Sequence, residues 1–396
     1  MAADRVLITV TGPDRTGVTA TLTGILSQQG ASLHDIEQVV VQGQLTLCLL
    51  VDVPETRDVL KELLFAAKQL GMDLDFKPVA TSDARPAPTL NEARRYVITA
   101  IGPTLGAPHL HAIASTLAAE GANIEKIGRL SENTLASVEI HALLPPGGDS
   151  DALKRTLLTV ATSAGFDVSL QRESLYRRSK RLVVLDMDST LIRIEVIDEL
   201  ARAAGVGAEV AKITERAMQG EMDYDESLRQ RVALLKGVTI ADLEDIYVQR
   251  LQLNAGAEKL VRACQAAGLK TLLVSGGFTF FTDRIRDRLG IDFTRSNVLE
   301  IRSGPNCGEL TGRMVDQPWG DICDGAEKRK MLLETCAQLG ISPKQAIAVG
   351  DGANDLPMMG AAGLSVAYHA KPAVRERAMV AINAGGLDRL LEVVRP

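Results

Sequence analysis

The chain has 396 residues, 46% apolar and 24% charged, with a formal net charge of −6, the composition of a globular protein long enough for two or three domains. The acidic balance argues against a broad nucleic-acid footprint, and no run of about 18 apolar residues offers a membrane span. Its five cysteines, with no C-x-x-C spacing, argue against zinc or a disulfide framework and fit reduced thiols in the cytoplasm, and the start MAADRVLITV carries Asp4 and Arg5 too early for a secretory leader.

The first 175 residues contain a repeat. Val6–Gly12 (VLITVTG) and Val97–Gly102 (VITAIG) are β-branched runs that each end in Gly-Pro. Each is followed by an amphipathic helix, Ala20–Gln29 or Leu110–Glu120, closed by Gly30 or Gly121 where a helix C-terminus favours positive φ. Two strands come next (Ile36–Val41 and Leu45–Val53; Ile124–Ser131 and Leu135–Leu143), then a second helix (Thr56–Leu70; Asp151–Ala164) and a last strand (Asp73–Val79; Phe166–Arg172). The order β-α-β-β-α-β is the ferredoxin-like plan. Ser82–Pro88 (SDARPAP) reads as the linker between the copies, which places the two domains at 1–83 and 90–174. The basic run Arg172–Arg181 reads as a solvated linker to the second half of the chain.

Each copy resembles an ACT domain, a family of small-molecule-sensing modules that often bind amino acids and pair sheets between subunits. The resemblance implies a homodimer and a ligand loop at Gly12, Asp14, Arg15 and Gly17, within Gly12-Pro13-Asp14-Arg15-Thr16-Gly17. A glycine-rich turn before a helix presents free N–H groups to a carboxylate. The second copy, Gly102-Pro103-Thr104-Leu105-Gly106, lacks the Asp-Arg pair. A pure dimerisation scaffold is the plainer alternative for both copies.

From residue 180 onward, short apolar strands alternate with helices, as in a doubly wound α/β sheet. Leu182–Leu185 runs into Asp186-Met187-Asp188-Ser189-Thr190, Thr271–Val274 into Ser275-Gly276-Gly277, and Ile347–Val349 into Gly350-Asp351-Gly352-Ala353-Asn354-Asp355. Ligands bind at the carboxyl edge of such a sheet, so these three polar strand ends are expected to meet there. About 80 mostly helical residues separate the first two: Glu195–Ala204, Ala208–Gln219, Tyr224–Leu235 and Ile240–Gln249. They read as a cap, at about 195–265, that excludes water and contacts the unreactive part of a substrate.

The three strand ends in this order, with Lys328 between the second and third, resemble the haloacid dehalogenase superfamily over 180–396. The implied core is a doubly wound parallel sheet with Asp186 as nucleophile, Asp188 as general acid and base, and Ser275, Gly276 and Lys328 around the phosphoryl group. Mg²⁺ would be held by Asp186, the backbone carbonyl of Asp188, and Asp351, with Asp355 behind them. The assignment of Lys328 carries a register risk, because Arg329, Lys330 and Lys344 are also basic. The segments DMDSTLIRIEVIDELA, ITERAMQGEMDYDESLRQRV, VSGGF and AVGDGANDLPM are similar to the phosphoserine phosphatases of that superfamily. That likeness implies hydrolysis of O-phospho-L-serine, the last step of serine synthesis, with feedback by L-serine or another amino acid through the ACT pair. Glu195 would hold the substrate ammonium and Arg231 its carboxylate. Met218 and Tyr224 (often Phe in the family) would line the pocket, and Asn354 would contact phosphate or the metal shell. A phosphatase for another small ester and a non-catalytic amino-acid sensor are the alternatives; the intact acidic set argues against the sensor.

Overall fold

The computed structural model describes residues 4–54, 58–79, 94–131, 135–303, 308–320 and 322–394, apart from the side chain of Met218. The linker expected at 82–88, the first residues of the helix expected from Thr56, and Cys307 lie outside them. Among the described residues no helix is long and apolar enough to cross a membrane, and the four described cysteines are free thiols.

Two compact units divide at Asn91 and Glu92. In the first, strands β1 (Asp4–Pro13), β2 (Ser32–Val41), β3 (Gln44–Val53) and β4 (Asp73–Pro78) form an antiparallel sheet in the order β2-β3-β1-β4. Helices α1 (Val18–Gln28) and α2 (Val59–Gln69) cover one face. Alternation drives the packing: Val6, Ile8 and Val10 on β1 and Leu45, Leu47 and Leu49 on β3 bury against Leu22, Leu26 and Leu63. Strand β2 begins at Ser32, earlier than its alternation suggested, and every residue of it is exposed.

The second unit opens with the same plan. Strands β5 (Arg95–Ile101), β6 (Asn123–Arg129), β7 (Ser137–Leu143) and β8 (Asp167–Arg172), with helices α3 (Ala107–Ala119) and α4 (Ser150–Ala164), repeat the order as β6-β7-β5-β8. The sequence repeat is therefore a repeat of topology.

The run Arg172–Arg181 is only in part the solvated linker expected from its charge: Arg172, Leu175, Tyr176, Arg178 and Arg181 are exposed, while Arg177 and Lys180 are drawn in. It contains a short helix, α5 (Leu175–Arg178). The Arg177 side chain is only 8% exposed and pairs with Glu139. Lys180 donates to the Lys344 carbonyl at 2.9 Å, and burial, aided by the charge of Arg177, pushes its ammonium down to about 8. Long basic side chains bury readily when they find carboxylates and carbonyls at the end of their stems.

The α/β core comes next. Its parallel strands are β9 (Leu182–Leu185), β10 (Lys270–Phe278), β11 (Phe293–Asn297), β14 (Ala346–Gly350), β15 (Leu364–Tyr368) and β16 (Val380–Ile382), in the order β11-β10-β9-β14-β15-β16. A hairpin of β12 (Leu299–Ile301) and β13 (Leu310–Met314) lies between β11 and β14 in sequence. Helices α6 (Val196–Ala203), α7 (Gly207–Met218), α8 (Tyr224–Ala233) and α9 (Ile240–Asp245) form the cap, which closes with the turn Ile246–Arg250. The next helix, α10 (Ala257–Ala266), packs on β10, so it belongs to the core although its sequence position fell within the expected cap. The other core helices are α11 (Thr279–Leu289), α12 (Gly325–Gln338), α13 (Leu356–Ala361), α14 (Pro372–Arg377) and α15 (Leu390–Val394).

Strand β16 also pairs antiparallel with β8, at Val380 and Ser169, so core and second ferredoxin-like domain share one ten-stranded sheet. That joint could not be read from strand patterns. The Asn383 N–H and Nδ2 donate to the buried Asp167 carboxylate at 2.7 Å each, and the Ala384 N–H donates at 3.1 Å. Lys154 Nζ donates to the Ala378 carbonyl at 2.6 Å, at the C-terminus of α14, where the helix dipole favours a cation. Asp167→Ala removes the acceptor of all three hydrogen bonds and is expected to cost the second unit roughly 1–3 kcal/mol. A lower urea midpoint would show this, and Asp167→Asn, which keeps one acceptor, should lose less.

Candidate active site

Strand β9 sits centrally, with β10 on one side and β14 on the other. The chain leaves β9 toward β10 and returns on the opposite side to β14, and this reversal opens a crevice at the carboxyl edge. All four β9 residues are buried, which fixes Asp186 just beyond the strand. Its N–H donates to the Val349 carbonyl at 3.0 Å, tying the first strand end to the third.

The loop after Asp186 is a single wide turn, Met187–Leu191, in which Ser189 takes φ 55°. Asn254 Nδ2 holds it by donating to the carbonyls of Ser189, Thr190 and Ile192 at 3.3, 2.8 and 3.1 Å. Asp188 accepts from the Val196 N–H at 2.9 Å and from Ser275 Oγ at 3.3 Å. The first and second strand ends therefore meet through this carboxylate.

At the second end, Ser275 Oγ accepts from the Gly277 N–H at 2.8 Å. Asn297 Nδ2 donates to the Gly276 carbonyl, and its Oδ1 accepts from the Cys323 N–H, both at 2.7 Å. A Cβ on Gly277 would lie 2.6 Å from Met187 Cε and 2.9 Å from Asp188 Oδ2, so glycine is required by close approach. At the third end, Asp355 accepts from the N–H groups of Asp351 and Gly352 at 3.1 and 3.0 Å. Thr190 Oγ1 donates to Asp351 at 3.0 Å, closing the ring back to the first loop.

Helix α12 delivers Lys328. Asp324 caps it by accepting from the Glu327 N–H at 2.8 Å. Lys328 Nζ, fully buried, donates to Asp186 Oδ1 and Asp355 Oδ1 at 2.7 Å each. Its neighbours Arg329, Lys330 and Lys344 make no such contact, which removes the register ambiguity.

The electrostatics arise from crowding. Carboxylate atoms of Asp186, Asp351 and Asp355 all lie within 4.8 Å of one another. Burial first, and then Asp355, raise the Asp186 carboxyl well above the usual range, against the pull of Lys328. Burial and Glu195 push Asp188 up to about 7, and burial and Asp355 push Asp351 up to about 6. Burial alone would lower the Lys328 ammonium; Asp186 and Asp355 more than offset it, and its affinity for a proton rises. One cation among four carboxylates leaves an excess of negative charge in a buried site, which calls for a further cation. The donors are all hard oxygens, as Mg²⁺ prefers, so the residues present fit that ion. Asp186, Asp351 and Asp355 lie close enough together to serve one ion, with Asp355, whose oxygens accept from Lys328, Asp351 and Gly352, behind the other two; the Asp188 carboxylate instead faces Ser275 and the Val196 N–H.

The cap encloses a cavity of about 650 Å³ above this edge. Glu195, Tyr224, Arg231 and Asn354 line it together with Asp186, Asp188, Gly276 and Asp351. Glu195 Oε1 accepts from Ser189 Oγ at 2.6 Å. Arg231 makes no ion pair with a described residue; its Nε donates to the Ser227 carbonyl at 3.3 Å. Burial raises the Tyr224 phenol, so it stays protonated. Met218 ends α7, and its side chain lies outside the described residues. Lys371, Asp198 and Thr214 also line the cavity and had no signal in the sequence. Neither did Asn254 and Asn297, which act from positions remote in the chain.

In the first unit, Gly12, Asp14, Arg15 and Gly17 share the loop from β1 to α1. A Cβ on Gly12 would lie 2.7 Å from Met72 Sδ. The Asp14 N–H donates to the Gly43 carbonyl at 2.8 Å, and Gly17, at φ 96°, is the N-cap of α1. The Asp14 and Arg15 side chains are exposed. In the second copy, Leu105 is buried, and a Cβ on Gly102 would lie 3.1 Å from its side chain and 3.4 Å from Phe166. The matching loop is thus packed with its own apolar residues.

Fold and site together define a haloacid dehalogenase-like hydrolase carrying two ACT domains. The haloacid dehalogenase-like hydrolase family matches residues 180–363, and ACT-domain families match 4–77 and 95–171. A phosphoserine phosphatase of Streptomyces coelicolor is 39% identical over 97% of this chain and 90% of its own. One from Polaromonas sp. is 71% identical over 59% of this chain and 98% of its own. The unliganded crystal structure of a probable phosphoserine phosphatase from Vibrio cholerae superposes with a TM-score of 0.60 at 35% identity, covering 77% of this chain and 87% of that one. The chain belongs to the phosphoserine phosphatase family.

Proposed function

We propose that this protein hydrolyses O-phospho-L-serine to L-serine and phosphate, using Mg²⁺ and a covalent intermediate on Asp186. The observation that carries the reading is one cavity holding a buried acidic cluster at its base and, at its cap, a carboxylate and a guanidinium without an ion pair among the described residues. That pattern suits a zwitterionic amino acid carrying a phosphate. Within the proposal the catalytic domain is 180–396, preceded by sensing domains at 1–83 and 90–174. The free thiols suit the reducing cytoplasm.

Asp186 Oδ attacks phosphorus as the ester oxygen leaves, forming an aspartyl-phosphate. Asp188, held near neutrality by burial and Glu195, gives its proton to the departing serine oxygen. As a carboxylate it then takes a proton from the water that cleaves the intermediate. Lys328, Ser275 Oγ and the Gly276 N–H stabilise the equatorial phosphoryl oxygens. When bound, Mg²⁺ screens the repulsion between carboxylate and phosphate. Glu195 takes the substrate ammonium, Arg231 the carboxylate, and Asn354 the phosphate edge, while Tyr224 and Met218 shape the wall.

Phosphate release from O-phospho-L-serine should depend on Mg²⁺ and exceed release from p-nitrophenyl phosphate. Asp186→Asn is expected to lower kcat by a factor on the order of 10⁴ or more. Arg231→Ala should raise KM for phosphoserine roughly 10- to 100-fold and leave p-nitrophenyl phosphate nearly unaffected. Equal rates on both esters in the wild type would remove the specificity claim.

L-serine or a related amino acid is proposed to bind the Gly12–Gly17 loop. Serine should inhibit wild type more strongly than the Asp14→Ala/Arg15→Ala variant; equal inhibition would point to product binding at the active site alone. The fully exposed edge strand β2, bearing Ile36, Val39, Val40 and Val41, is proposed to pair with a second copy. Light scattering at the mass of one chain would refute that homodimer.

A further inference from the structure

Tyr224 opens α8, with its ring packed against the apolar core of the cap and sheet. A benzene ring would complete that wall, yet this side chain also carries a hydroxyl. Tyr224 Oη occupies the space that a Cβ on Gly276 would need. It therefore lies in the notch of the Gly276 turn, beside the cavity that Gly276 and Asp186 both line. Gly276 takes no positive φ, so glycine is set here by room for the hydroxyl, not by backbone conformation. The hydroxyl makes no hydrogen bond with any described residue, although it lines the cavity. A half-buried hydroxyl without a protein partner is free to donate to a molecule bound in that cavity.

The surroundings identify that molecule's charge. The groups that act electrostatically on Tyr224 are the cations Lys328 and Arg231, together with the Cys323 thiol and the Asp186 carboxylate, to which Lys328 donates. The two cations and the Gly276 N–H attract an anion, and Asp186, the proposed nucleophile, sets the phosphoryl group as the anion that reaches this end of the cavity. Of the two anionic ends of the proposed substrate, the phosphoryl group is the one that the Gly276 turn serves.

We propose that Tyr224 Oη donates a hydrogen bond to a phosphoryl oxygen of the bound substrate, as a phosphate ligand beyond Ser275, Gly276 and Lys328. This rests on the phosphatase reading above. The phenol's resistance to ionisation keeps it a donor at any working pH.

Tyr224→Phe deletes the oxygen and keeps the ring. The full chain with Mg²⁺ is compared with wild type in two ways: calorimetric Kd for inorganic phosphate, and kcat/KM for O-phospho-L-serine and for p-nitrophenyl phosphate. All three are expected to weaken by a common factor of about 5–10, with the thermal midpoint retained. A loss confined to phosphoserine would overturn the proposal by placing the hydroxyl on the carboxylate side. Unchanged values would also overturn it. If wild type proved inactive on phosphoserine, the substrate reading would fail on its own, and the ratio of phosphate Kd values would still decide the role of Tyr224.

Discussion

A fully buried ammonium, Lys328, donates to two buried carboxylates, Asp186 and Asp355, and the rest of the catalytic edge is arranged around this contact. An unpaired charge in that position would be prohibitive, so the three groups can only be buried together. Asp186 needs β9 at the centre of the sheet, Asp355 needs the turn after β14, and Lys328 needs α12 capped by Asp324. The ring of contacts from Thr190 to Asp351 and from Ser275 to Asp188 then holds the loops in register. Because the carboxylates still outnumber the ammonium, the site retains an appetite for a further cation.

Core and cap divide the work on physical grounds. On the proposed reading, chemistry on phosphorus requires fixed groups, and the strand ends supply them from buried residues such as Asp186, Ser275 and Asp355 and from half-buried ones such as Asp188 and Asp351. Recognition of an amino-acid head group, as proposed for Glu195 and Arg231, requires groups that exchange water for ligand, and these two stand at the start of α6 and on α8 with part of their surface open. The same logic extends to α14. Its N-cap, Lys371, lines the cavity, and the carbonyl of Ala378 at its other end receives Lys154 from the second ACT domain. One six-residue helix therefore runs from the cavity to the second ACT domain, within a sheet that runs through core and domain.

Strong local periodicity made the ferredoxin-like repeat and the three catalytic strand ends legible in the chain. Each strand is a short apolar run, and each polar group comes directly after it. The contacts that failed to show have a common character. Asn254 staples a loop about 65 residues away, Asn297 clamps Gly276 from β11, and Asp167 reaches Asn383 across 216 positions. No spacing rule encodes such pairs. Within the basic run Arg172–Arg181, the Arg177 side chain left solvent for the same reason: Glu139, distant in sequence, offset the cost of burying it.

The sequence by itself determined which residue types stand at the strand ends, the order of the motifs and the doubling of the first fold. These depend on neighbours in the chain. Only the tertiary structure decided which lysine enters the acidic cluster, that Asp188 turns toward Ser275 and the cap, and that core and second ACT domain share a sheet. Those outcomes depend on distances between segments remote in sequence, and on the loss of water around them, which sets the cost of each charge.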